Sequence, residues 1–425
     1  MSISIPQSEC PAQPASMSRA HRFYRSGFFK QCAQISRGRI VLHDRLGVTE
    51  FGQPAGAADI EVIVWIHDAE FYAKAALGGI VGAAEAYRDG LWSTDGLVGL
   101  MRIVAQLVDG ADAIQSGLAF LSKPWRRLLH WLRRNTRRNS RKNIAAHYDL
   151  GNDFFSLFLD ETMTYSSGIF ESENATLRDA SLAKLDRVCR RLELSPSDHL
   201  LEIGTGWGSF AIHAAKRYGC RVTTTTLSKE QRRFARRRIE EEGLADRITV
   251  LDQDYRDLEG HYDRIASIEM IEAVGGEYLG TFFAKAMSLL KPDGLMCLQA
   301  ITLDEKHFRG RRYQVDFIQR YIFPGGFLPS MTMLLASMTR STDLRLVRME
   351  DLTLHYARTL HEWRQRFLAA REHVRSLGVP GSFIRLWEFY LAYCEVGFLE
   401  RTTGCCQLTL ARSHVRGDFL GMLGK

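Results

Sequence analysis

From about Leu200 the chain alternates two kinds of pattern. HLLEI, CRVTTTTLS, RITVLDQD and DRIASIEMIEAVG are short apolar runs, and FAIHAAKRY and KEQRRFARRRIEEEG between them carry apolar positions at helical spacing. Strand, loop and helix in repeating order predict a parallel sheet with helices on both faces. Past Ile301 the order breaks into an aromatic and basic insertion, HFRGRRYQVDFIQRYIFPGGFLPSM, after which the helical stretch TLHEWRQRFLAAREHVRSLG and the run QLTLAR close the domain. Earlier, GRIVLH and IEVIVWIH alternate with a small-residue helical segment, LGGIVGAAEAYRDGLW. That fits a compact α+β module.

These patterns divide the 425 residues into four parts: a loose tail over 1–20, a small α+β domain over 21–122, a basic amphipathic linker over 123–142, and a large α/β domain over 143–415. The length supports that division, because a single core seldom takes more than about 250–300 residues. Composition is ordinary for a globular protein, at 45% apolar and 25% charged. The net charge of +7 permits an acidic partner without requiring one.

The linker KPWRRLLHWLRRNTRRNSRK interleaves Trp125, Leu128, Trp131 and Leu132 with nine Lys and Arg residues. Such a helix can lay its apolar side in a lipid interface while its cations meet anionic head groups. A solvated linker helix or a nucleic-acid patch is the alternative; no other nucleic-acid motif accompanies it, so no nucleic-acid partner is expected. The start of the chain reads as a polar, proline-dotted tail rather than a signal peptide, and no run reaches the roughly 18 apolar residues of a spanning helix. The eight cysteines lack metal-type spacing, which suits reduced thiols in a cytoplasmic protein without a metal site.

LLEIGTGWG places Gly204, Gly206 and Gly208 after an apolar run. Glycines let a backbone turn sharply and approach a ligand at a helix N-terminus. Alone the loop is weak evidence, since any α/β protein can use a tight strand-to-helix turn. A dinucleotide site needs GxGxxG and a phosphate loop needs GK[ST], and neither is present. The GxGxG form preceded by Glu202 resembles the loop of S-adenosylmethionine (SAM) enzymes. The second strand, where a carboxylate usually takes the ribose, ends in TTTTLSKEQ, so Thr226, Ser228 and Gln231 would offer neutral hydrogen bonds.

Seven segments carry a more specific resemblance: HYDLGNDFFSLFLDETMTYSSGIF, LEIGTGWG, TLSKEQ, QDYRDL, EMIEAVG, RYIFPGGFLPS and WEFYLAYCEVGF. In this order, from about His147 to Arg412, they resemble the cyclopropane-fatty-acyl-phospholipid synthase family, which includes the mycolic acid cyclopropane synthases, in its plant-like branch. GAAEAYRDGLWSTDGL resembles the amino-terminal domain of the phospholipid-acting members. The resemblance implies a Rossmann-like SAM-dependent methyltransferase domain behind a smaller N-terminal domain, open to a lipid or dimer contact. The implied enzyme is cytoplasmic, peripheral at the inner membrane face, with membrane phospholipid as partner and a homodimer allowed. Its reaction sets a methylene across the cis double bond of an esterified acyl chain, through a cation deprotonated by bound bicarbonate.

Carried over by motif, the resemblance assigns the bicarbonate site to Glu272, Tyr356, Gln299, the Ile301 backbone and Ser167, where most members have cysteine. Cys394 matches a cysteine marked as an active-site candidate; a lone cysteine on an aromatic helix face also suits plain packing. The implied cofactor contacts are Tyr165, Ser166, Glu202, Gly204, Gly206, Gly208, Thr226, Leu227, Ser228, Gln231, Tyr255 and Arg256. Glu269 matches no motif role and is expected to meet nearby backbone or solvent. His147, Tyr148 and Asp149 open a segment expected to close over the cofactor or to cap a helix.

Three readings compete with ring closure. The enzyme could leave a methyl or methylene branch, the fold could be a non-catalytic lipid-binding scaffold, or the acceptor could be a soluble small molecule. Arginines and aromatics of the insertion are expected to meet lipid phosphate and wall an acyl tunnel, against the plainer reading of a packed lid with a basic edge.

Overall fold

Leu200 and Leu201 are both fully buried, yet they belong to different cores. Successive side chains of a strand point to opposite faces, so a sheet covered on both sides reads as a continuous apolar run. The same split recurs at Ile265 and Ala266 and at Met296 and Cys297. The computed structural model describes residues 17–53, 56, 60–110, 151–311, 317–413 and 415. The linker 123–142 and His147, Tyr148 and Asp149 lie outside the described residues.

The chain divides into two compact units, Met1–Phe120 and Leu121–Lys425. In the first, β1 (Gly38–Asp44), β2 (Gly47–Gln53), β3 (Glu61–Ile66) and β4 (Trp92–Thr94) form a sheet in the order β2-β1-β3-β4. Strand β2, which pairs antiparallel with β1, was not anticipated; its alternation is mostly polar and its burial slight. Helices Arg19–Cys32 and Glu70–Arg88 pack aromatic rings together, with Phe28 against Phe71 at 5.3 Å and against Tyr72 at 5.7 Å. Asp44 ties the two helices by accepting from Arg25 Nε and from the Tyr72 hydroxyl, each at 2.6 Å.

The second unit holds β5 (His199–Ile203), β6 (Arg221–Thr225), β7 (Ile248–Leu251), β8 (Tyr262–Ile268), β9 (Leu290–Leu303), β10 (Leu344–Asp351) and β11 (Thr403–Arg412). Their order is β10-β11-β9-β8-β5-β6-β7. Strands β5 to β9 run parallel, and β11 returns antiparallel between β9 and β10. The chain moves from β5 outward to β6 and β7, then crosses to place β8 on the other side of β5. In open α/β sheets ligands bind outside the carboxyl ends of the strands at such a reversal. Here those ends carry Gly204 after β5 and Glu269 after β8.

Candidate active site

Gly204, Gly206 and Gly208 all have positive φ, at 108°, 52° and 88°. A Cβ on Gly204 would press on Met270 at 3.2 Å, and one on Gly208 would meet Ala235 at 3.1 Å. A Cβ on Gly206 would meet nothing within 4 Å. Gly206 therefore faces open space, while its two neighbours fit protein against protein. The helix Ser209–Tyr218 starts immediately after, directing its N-terminus to the same space.

Beneath this loop Glu202 is buried, and the Thr224 hydroxyl donates to its Oε2 at 2.6 Å. Burial pushes the Glu202 carboxyl up to about 8, against the pull of Thr224 and Lys184. The Thr224 contact ties its carboxyl to β6 beneath the loop. At the end of β6, Ser228 caps the helix Lys229–Glu241 by accepting from the Gln231 amide at 3.3 Å, and the Thr226 hydroxyl donates to Gln231 Oε1 at 3.3 Å. The neutral groups expected from TTTTLSKEQ, with Leu227 between them, thus form one buried turn. Tyr255 packs edge-on to Phe282 at 5.5 Å, and Arg256 is clamped by Asp254 through contacts of 2.8 and 2.7 Å. The clamp holds the Arg256 cation on its own turn.

The carboxylate cluster centres on Glu269, a residue expected to meet nearby backbone or solvent. Its Oε1 accepts from the Ser167 amide at 2.9 Å and from Gln299 Nε2 at 2.7 Å, and its Oε2 accepts from the Tyr356 hydroxyl at 2.7 Å. The Cys405 sulfur lies 3.8 Å from Oε1. Glu272 takes a separate place, accepting from the Ile301 amide at 2.6 Å, and its Oε2 meets no hydrogen-bond partner among the described residues. Burial pushes the Glu272 carboxyl up to about 8, and the charge of Glu269 adds to the rise. Burial also raises Glu269, but Tyr356, the Ser167 amide and Gln299 pull it back. Burial thus raises both carboxyls, and the three donors oppose the rise at Glu269 while the charge of Glu269 adds to it at Glu272.

The supports of Glu269 come from four separated stretches of chain. Glu269 has φ of +48°, uncommon for a residue with a side chain, and its amide donates to the Gln299 carbonyl at 2.8 Å. Gln299 on β9 lies directly opposite Gln407 on β11, whose Nε2 donates to Gln299 Oε1 at 2.9 Å. That contact turns the Gln299 donor toward Glu269. The Ser167 hydroxyl donates to the Gly168 carbonyl at 3.0 Å, so its contact with the cluster is through the backbone. Tyr356, on the helix Thr353–Ala369, is stacked on Phe398 at 4.4 Å.

Lys184, Cys405 and Gln407 were missed by sequence reasoning. Lys184 is 1% exposed and donates to Ser166 Oγ at 2.7 Å. Burial pushes its ammonium down to about 8, against the raising charges of Glu269 and Asp160. Its signal was weak: one lysine in an amphipathic helix otherwise reads as solvent-facing. Cys394 lies partly buried on the helix Gly381–Leu399, and the thiol brought to the carboxylate is that of Cys405.

An aromatic wall adjoins the cluster. Tyr165 packs with Trp363 at 5.1 Å and Phe155 at 5.4 Å, and its hydroxyl meets that of Tyr390 at 2.8 Å. The insertion supplies Phe323, 6.3 Å from Tyr390, and Phe327, whose amide donates to the Glu272 carbonyl at 2.9 Å. Its aromatics thus pack toward the site; the side chains of Arg309, Arg311 and Arg312 lie outside the described residues.

A glycine loop opening on free space at the sheet's reversal, beside Tyr165, Ser166 and the Thr226–Gln231 turn, fits SAM. Fold and site define a SAM-dependent methyltransferase. The family model for mycolic acid cyclopropane synthetase matches residues 135–408, and the chain belongs to that family. It is 39% identical over 382 residues to tuberculostearic acid methyltransferase UfaA1 of Mycobacterium tuberculosis, covering 85% of this chain and 86% of that one. With the cyclopropane-fatty-acyl-phospholipid synthase of Escherichia coli strain K12 it shares 33% identity, over 88% of this chain and 93% of that one. The structure of mycolic acid cyclopropane synthase CmaA1 with SAH and CTAB matches with a TM-score of 0.60 at 33% identity, covering 64% of this chain and 97% of that chain.

Proposed function

We propose that the chain transfers the methyl group of SAM to the cis double bond of an unsaturated acyl chain in a membrane phospholipid, with loss of a proton. The observation that carries this reading is a half-buried carboxylate, Glu269, held by three donors beside the glycine loop and next to an aromatic wall. An alkene is a weak nucleophile, and the cation left on the neighbouring carbon must be kept from water until a base removes a proton. Bound SAM would supply an electrophilic methyl group and leave as the neutral thioether. Tyr165, Ser166, Gly204, Gly206, the Thr226–Gln231 turn and Tyr255 would hold it. Tyr165, Trp363 and Tyr390 exclude water and offer π faces to a cation.

The proton leaves from the added carbon in either of two ways. Direct closure gives a cyclopropane. A hydride shift from the methylated carbon to its cationic neighbour, followed by the same loss, gives a methylene branch. The branch is favoured by the relatives: the matches at 39% and 37% identity are named methyltransferases of tuberculostearic acid and of fatty acid, ahead of the cyclopropane synthase at 33%. Among the described residues no helix is long and apolar enough to cross a membrane.

Mass spectrometry and proton NMR of lipids from a host expressing the protein test the reading. Acyl chains heavier by one CH2 with vinylidene proton signals are expected. Upfield ring protons would replace the branch with the cyclopropane, and unchanged lipids would remove the function.

A further inference from the structure

A bound bicarbonate does not fit this site. The groups that the family resemblance assigns to it are Tyr356, Gln299, Ser167, Glu272 and the Ile301 amide. The first three donate to Glu269, and the Ile301 amide is taken by Glu272. No donor of the set is left for a second anion, and its negative charge would meet that of Glu269 in a site with little water to screen it. The carboxylate of Glu269 has the shape and charge of bicarbonate and is covalently in place.

The backbone at Glu269 supports this assignment. A left-handed φ is unfavourable for a residue with a Cβ, and such strain persists where surrounding contacts over-determine it. At φ +48° the chain leaves β8, turns into the short helix Ile271–Ala273, and sends the Glu269 side chain toward Ser167, Gln299 and Tyr356. Met270, the next residue, packs under Gly204, so the carboxylate stands beside the cofactor loop.

We propose that Glu269 is itself the general base of the reaction, replacing a bound bicarbonate ion, and that the enzyme works without bicarbonate. The proposal rests on the reaction proposed above. One Glu269 carboxylate oxygen takes a proton from the added carbon. The electron pair of that C–H bond forms the new carbon–carbon bond, and the cation is neutralised. Glu269 then loses the proton to solvent when product leaves. Ser167, Gln299 and Tyr356 are positioning residues for this carboxylate.

The test compares wild type, Glu269→Gln and Glu269→Gly, each with SAM and unsaturated phospholipid vesicles, in buffer stripped of carbon dioxide and in buffer with added bicarbonate. Wild type is expected to turn over equally in both. Glu269→Gln is expected to lose about a thousandfold, in the range a positioned base supplies, and to stay inactive with bicarbonate because its amide still fills the cradle. Glu269→Gly suits the positive φ and opens the cradle, so bicarbonate should restore part of its rate. A separate arm reads binding of carbon-13 bicarbonate by NMR with S-adenosylhomocysteine present: none for wild type, saturable for Glu269→Gly. Full turnover in Glu269→Gln, bicarbonate dependence of wild type, or bicarbonate binding to wild type would each overturn the proposal. Because the binding arm needs no acyl substrate, a failure to methylate lipid counts against the proposed function and leaves the cradle to be judged by binding.

Discussion

The phenolic hydroxyl of Tyr356 donates to Oε2 of Glu269 at 2.7 Å, joining residues 87 positions apart in sequence. Burial and the nearby charge of Glu269 push the Tyr356 phenol well up, so it stays protonated and serves only as donor. A donor to the charged form of a carboxylate lowers its pKa. Tyr356→Phe removes that pull, so the pKa of Glu269 rises and its ionised form appears at higher pH. The expected outcome is a rate–pH profile whose rising limb moves upward, with kcat lower by about tenfold or more and SAM affinity in calorimetry unchanged.

Glu272 gives a pH signature in stability. Its folded pKa is near 8 against an ordinary 4.5. Between those values the folded state keeps a proton that the unfolded state has released. Stability from this group is therefore full below about 4.5 and lost as pH rises to about 8. Glu272→Gln cannot titrate. Thermal melts should show the variant gaining on wild type from pH 4.5 to 8, with no gain below. The upper bound is about 1.4 kcal/mol per pH unit, reduced because the residue is partly exposed. Product formation should fall far less than in Glu269→Gln, since an amide oxygen still accepts from Ile301.

Lys184 runs the other way in pH. Its folded pKa lies near 8, below the usual 10.5, so the folded state has already released a proton that the unfolded state still binds in between. The cost of burying this cation is present below about 8 and relieved as pH climbs toward 10.5. Lys184→Met should stabilise the protein at pH 7 relative to wild type, with the advantage shrinking above pH 8 in thermal melts. It should also free the Ser166 hydroxyl of its donor and weaken SAM binding, read by calorimetry.

Gly206 separates cofactor binding from folding. A Cβ there meets no protein atom within 4 Å, so Gly206→Val puts its bulk in the open crevice. Strain at φ +52° costs about 1–2 kcal/mol of stability. The expected result is a modest fall in Tm with loss of measurable SAM binding. Retained binding would show that the cofactor does not approach this loop.

The parallel core, the glycine loop and the presence of a strand in DRIASIEMIEAVG were legible because their causes are local. A sheet covered on both faces needs continuous apolar runs, and a tight turn near a ligand needs glycine. The helix Lys229–Glu241 was legible for the same reason. The partners of Glu269 and Glu272 were not. On spacing alone both carboxylates sit at one strand end, and motif resemblance favoured Glu272. A left-handed turn at Glu269 separates their directions, and hydrophobic pattern carries no sign of a φ angle.

What the sequence by itself determined is the scaffold and its crevice: which runs become buried strands, where the glycines open, and that two carboxylates stand near the opening. Only the tertiary structure decided which carboxylate is held by three donors. That depends on Ser167, Gln299 and Tyr356, which lie 102, 30 and 87 positions from Glu269 and converge only when β9 pairs with β8 and the helix Thr353–Ala369 docks. Hydrogen bonds act over about 3 Å, so a carboxylate cradle made from four distant stretches of chain exists only once they are packed together.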